Sequence, residues 1–208
     1  MNTAAAQARL PVVLLWHMHQ PHYRDALTGE YVLPWTYLHA LKDYSDMAAH
    51  LEAQPAARAV FNVTPVLIEQ LEDYTTMLRR HLDSAAPVAD AVLRLLTDAP
   101  LPTGAARADA LRACLRAQRT RMIERFPPFR ELADAAQRAF AAPDAFTDDE
   151  LRDLAVWYHL AWCGERLHRN SPIVGRLVAQ RRGFGAAERR ALLELIAETI
   201  GGIVPRWR

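Results

Sequence analysis

Two histidines one residue apart, His17 and His19, open the chemistry of this sequence. They lie in VVLLWHMHQP, residues 12–21. An apolar run rich in β-branched residues reads as a strand buried on both faces. Alternation along a strand puts both imidazoles on one side, above Val13 and Leu15, with Trp16 and Met18 on the other. Pro21 has no N–H for a ladder, so the strand ends there. Each neutral imidazole offers one donor and one acceptor, which suits a hydroxyl-bearing ligand. A zinc site is a second possibility for His17 and His19, but it needs a third protein ligand. His22, His39, His50, His159 and His168 fall in a loop or in helical patterns. A pair of satisfied core histidines is the plainest reading, although burying two imidazoles without partners is costly.

These residues need elements to hold them. RAVFNV, residues 58–63, is the second strand candidate, and it brings Asn62 near the level of His19, either in the cleft or as a turn residue. Between the strands, residues 35–52 carry apolar positions at three- and four-residue spacing and read as a helix. Thr64 then serves as N-cap and Pro65 as first residue of a second helix. Strand, helix, strand, helix implies parallel strands and a right-handed crossover. Beyond Thr75 the patterns are helical only: residues 88–96, 105–124, 129–140, 148–167 and 186–204, with Thr147 to Glu150 as a capping box. Trp157, Tyr158 and Trp162 at helical spacing read as core. Two parallel strands do not make an independent sheet, so the chain reads as the opening of a larger α/β domain, the next strand being expected after Pro205-Arg-Trp-Arg208.

The sequence has 208 residues, is 51% hydrophobic and has a formal net charge of +1. That charge gives no reason to expect nucleic acid or an acidic membrane as partner. Arginine supplies nearly all the positive charge, and Lys42 is the only lysine. Cys114 and Cys163 lie in helical patterns and read as small buried hydrophobes. MNTAAAQARL lacks the apolar core of a signal peptide, and no stretch approaches the ~20 apolar residues of a membrane span. A cytoplasmic protein is expected.

Several segments in order resemble glycoside hydrolase family 57, whose members act on α-glucans as α-amylases and 4-α-glucanotransferases. They are Trp16-His-Met-His-Gln-Pro21, Leu33-Pro-Trp35, Leu38-His-Ala-Leu-Lys-Asp-Tyr44, Phe61-Asn-Val-Thr-Pro65 and Trp157-Tyr-His-Leu-Ala-Trp162. The resemblance implies the N-terminal part of a seven-stranded β/α barrel with a long helical insertion. Residues 1–9 would be a tail, residues 10–74 the βαβα unit and residues 75–208 the insertion. It implies an α-glucan or maltooligosaccharide substrate and a retaining mechanism, without cofactor or metal. In the family the catalytic glutamate and aspartate lie downstream of the matched segments. The residues agree. Retaining glycosidases need two carboxyl groups about 5–5.5 Å apart, and neither strand candidate ends in Asp or Glu. Asp25 and Glu30, in the loop above the histidines, are the only carboxylates nearby. The expected substrate-binding set is therefore His17, His19, Gln20, Trp35 and Asn62, with no catalytic residue and possible self-association through an open sheet edge. A metal-dependent hydrolase using His17 and His19, or a non-catalytic interaction protein, are the alternatives.

Overall fold

In a computed structural model describing residues 11–207, β1 (Leu15–Met18) and β2 (Val60–Val63) pair in parallel, Leu15 beside Val60 and Met18 beside Val63. The expected tail, residues 1–9, lies outside the described residues. The pair is the one sheet among the described residues. Its two faces differ. Met18 is buried, Trp16 meets Phe61 edge-on at 5.0 Å, and Phe61 packs on Trp207 at 4.0 Å. The opposite face is bare: Val13 is 77% exposed, Leu15 62% and Val60 49%. A strand buried on both faces is thus not what forms. Helices cover one face of the pair, and no further strand among the described residues joins either edge.

The crossover helix runs where the periodicity places it, but in three parts: α1 (Trp35–His39), a π-helical turn (Ala40–Tyr44) and α2 (Ser45–Glu52). Such π turns tend to occur at functional sites. After β2, α3 (Pro65–Ser84) begins at Thr64 with Pro65 in its first turn. It packs against α10 (Ala186–Gly201). Between these long helices lie α4 (Ala91–Arg94), α5 (Gly104–Cys114), a second π turn (Arg119–Ile123), α6 (Pro127–Arg138), α7 (Asp148–Trp162), α8 (Glu165–Asn170) and α9 (Pro172–Gln180). A last short helix, α11, spans Ile203–Arg206. The Thr147–Glu150 capping box forms. No helix among the described residues is long and apolar enough to cross a membrane.

Three helical expectations change. The segment 88–96 shrinks to α4, because the buried Asp90 accepts the N–H groups of Val92 and Leu93 and starts the helix late. The segment 105–124 breaks after Cys114, where Gln118 adopts an extended backbone and caps the second π turn. The segment 148–167 breaks at Cys163 and Gly164, because Asp46 of α2 accepts the N–H groups of Glu165 (2.7 Å) and Arg166 (3.1 Å) and starts a new helix. Ser171 ends α8 and starts α9: its hydroxyl accepts the Val174 N–H, and Pro172 is the first residue of the new helix. Cys114 and Cys163 are buried, which pushes both thiols up to about 12 and leaves them unreactive.

Candidate functional site

His17 and His19 stand on the uncovered face of the sheet, their rings 5.9 Å apart. His17 pairs with Asn62 across the ladder, and its Nδ1 lies 2.7 Å from Asn62 Oδ1. With that oxygen as acceptor, His17 carries its proton on Nδ1 and keeps Nε2 free to accept from a hydroxyl. Both histidines are exposed. They form an open polar patch at the C-terminal end of β1, above Leu15 and Val13. Asn62 is therefore placed by strand register beside His17, one step from the level expected.

Gln20 and Trp35 belong to a different place. They line a recess of about 570 Å³ with Tyr23, His39, Lys42, Trp162 and a rim of residues 116–118 and Met122. Gln20 has the parity of Trp16 and Met18, opposite to that of His17 and His19. Its amide is then fixed at both ends: Nε2 donates to Tyr44 Oη at 3.2 Å, and Tyr23 Oη donates to Oε1 at 3.0 Å. Burial raises both phenol pKa values, so both hydroxyls stay protonated near neutrality. Trp35 and Trp162 meet at 5.8 Å with planes 48° apart, so the recess has two non-parallel indole walls. Lys42 Nζ lies 5.5 Å from the Trp162 ring centre, a cation–π contact. His39 sits edge-on to Trp162 at 5.7 Å, and its Nδ1 is paired with Asp43.

The recess is held from behind. Gln70 is buried in α3 and uses every hydrogen-bonding position of its amide. Its Oε1 accepts from the Tyr23 N–H (3.0 Å) and the Thr36 hydroxyl (3.2 Å). Its Nε2 donates to the carbonyls of Pro21 (3.0 Å) and Val66 (3.1 Å). One side chain thus ties the segment after β1 to the start of α1. The π turn contributes too: the Leu41 carbonyl accepts from Gly164, which docks the α7–α8 junction, and with it Trp162, beside His39 and Lys42. Behind Trp35, the Tyr37 hydroxyl bonds His159 Nε2 at 3.0 Å, while His159 Nδ1 donates to the Ala155 carbonyl at 2.7 Å. Burial pushes His159 down to about 4, so it is neutral and accepts the tyrosine proton.

The loop carboxylates are already occupied. Asp25 Oδ1 accepts from Leu27 N, Thr28 N and Thr28 Oγ1, which holds its pKa below the usual range. Glu30 is ion-paired with Arg94. Among the described residues no Asp or Glu lines the recess. Among the described residues no three His, Cys, Asp or Glu side chains gather to hold a metal ion, and the pair His17 and His19 has Asn62, not a third such ligand, beside it.

His39, Lys42, Tyr44, Gln70 and Trp162 were not expected in the site. Gln70 was discoverable, as a polar residue inside the apolar stripe Leu67, Leu71, Tyr74 of α3. Trp162 was not, since it is 8% exposed and reads as core, as Trp157 and Tyr158 are. Neither a curated protein nor a solved structure matches the chain. A family model does match: glycosyl hydrolase family 57, over residues 13–185.

Proposed function

The chain belongs to glycosyl hydrolase family 57, and from that membership we propose that it is the sugar-recognising, N-terminal portion of a retaining α-glucan hydrolase or glucanotransferase. The observation that carries the reading is Gln20, clamped between Tyr44 and Tyr23 at a recess walled by Trp35 and Trp162. Sugar sites combine such indole walls, which take the C–H face of a pyranose, with amides held in one orientation for its hydroxyls. His17, His19 and Asn62 add a second polar patch on the same turn of chain, with acceptor and donor positions for another sugar unit.

The catalytic pair lies elsewhere in this proposal. A retaining mechanism needs a nucleophile and an acid/base carboxyl group on opposite sides of the bond. Neither strand ends in Asp or Glu, and Asp25 and Glu30 are engaged. The bare sheet face and open edges of β1 and β2 support a seven-stranded β/α barrel in which further strands bring those carboxylates over His17 and His19. Hydrolysis and transfer share the same first step and differ in whether water or a second saccharide accepts the glycosyl unit.

The test is to incubate the 208-residue chain with amylose and maltooligosaccharides and follow the products. No turnover is expected, because binding and positioning without the carboxylates leave only weak residual catalysis. Robust turnover abolished by His19→Ala would overturn the proposal and place the catalytic groups on β1.

A further inference from the structure

Among the described residues, Lys42 and Arg116 are the two permanent cations of the recess beside Gln20, Trp35 and Trp162, and no carboxylate lines it. Neither forms an ion pair among the described residues. Lys42 is half-buried and has only the Trp162 ring beneath it. The nearest acid in sequence, Asp43, is turned to His39. Gln118 extends the pattern. Its Oε1 accepts the Arg121 N–H, and its Nε2 donor is without a hydrogen bond among the described residues. The rim thus presents an ammonium, a guanidinium and an amide NH₂, and Asp43, the carboxylate bonded to the lining residue His39, does not itself line it. A neutral saccharide needs no such field. A concave, partly apolar wall concentrates the potential of two uncompensated cations and favours a negatively charged guest.

We propose that this recess selects a saccharide bearing an anionic substituent, a phosphate or a carboxylate. Its sugar ring lies against Trp35 and its charge is directed to Lys42 and Arg116. This rests on the carbohydrate reading above and adds the substrate class to it. Arg116 supplies the fork geometry that suits either oxyanion, and Lys42 supplies a point charge.

The experiment is calorimetric titration of the full chain at low ionic strength with four probes: maltotriose, maltotriose carrying a phosphate, maltotriose ending in a glucuronate, and inorganic phosphate. The phosphorylated or the glucuronate trisaccharide is expected to bind at least about tenfold more tightly than maltotriose, and the tighter of the two identifies the group. Lys42→Met and Arg116→Gln should each lower the ratio of charged to neutral trisaccharide affinity, whatever their effect on maltotriose itself. Because both side chains reach solvent, unaltered thermal melts will show that the variants fold. Equal affinity for neutral and charged trisaccharides would overturn the proposal and leave the carbohydrate reading intact. Inorganic phosphate binding as tightly as the phosphorylated trisaccharide would overturn it differently, by removing the sugar from the site, and would take the carbohydrate reading with it.

Discussion

Gln70 Nε2 donates to the Pro21 carbonyl at 3.0 Å, so a buried amide in α3 fixes the backbone directly after the His-Gln-Pro segment. The same amide takes the Tyr23 N–H, and Tyr23 in turn holds Gln20. Gln70→Leu keeps the volume but leaves three backbone groups and the Thr36 hydroxyl without this partner. A loss of about 2–4 kcal/mol is expected, measured by urea denaturation. Saccharide affinity should fall as well, although Gln70 does not line the recess.

Gly164 faces Asp46 so closely that a Cβ would lie 2.5 Å from Oδ1. Gly164→Ala must therefore displace the carboxylate that caps α8, at a cost of about 2 kcal/mol or more. In an Asp46→Ala background the cap is already lost and the space is open, so the second substitution should cost much less. A double-mutant cycle by chemical denaturation reads this coupling.

His159 gives the fold an acid-sensitive joint between α1 and α7. Its folded pKa is about 4, against an ordinary value of 6.5. Between these values the unfolded chain takes up a proton that the folded one does not, so stability is complete above about pH 6.5 and falls as the pH drops toward 4. The slope is about 1.4 kcal/mol per pH unit, on the order of 3 kcal/mol across the window. His168, also lowered chiefly by burial, adds a change of the same sign. Denaturation curves from pH 4 to 8 should show this fall. In His159→Gln the slope should be shallower, whatever the variant's absolute stability.

The bare face of the sheet should make the chain associate. Leu15 and Val60 sit side by side at 62% and 49% exposure, beside unpaired strand edges. Leu15→Lys with Val60→Lys should shift sedimentation profiles toward monomer. Unchanged association would place the contact elsewhere.

What was legible in the sequence was local. The alternation of β1, the Pro65 start of α3 and the Thr147 capping box all depend on residues within one turn or one strand, and all form. The helix break at Gly164 depends on Asp46, more than a hundred residues away, and no periodicity reports it. The site divides in the same way. His17, His19 and Gln20 were conspicuous as a motif, and alternation sets Gln20 opposite the histidines, but the bonds that hold Gln20 come from Tyr23 and Tyr44, which the motif does not include. Trp162 could not be told from a core residue, because an apolar helix face looks the same whether its last residue borders a neighbour or a cavity. Lys42 stood out as the only lysine, yet its position over Trp162 requires the docking of α7 against the π turn.

The central claim is that the recess between Gln20, Trp35 and Trp162 holds a saccharide. Titration of maltoheptaose, followed by tryptophan fluorescence, addresses it most directly. A weak but saturable change is predicted for the wild-type chain, lost in Trp35→Ala and weakened about tenfold in Gln20→Ala, as expected for a half-buried amide bonded to a hydroxyl. A saturable response that survives both substitutions, or none with any maltooligosaccharide or its charged derivatives, would contradict it.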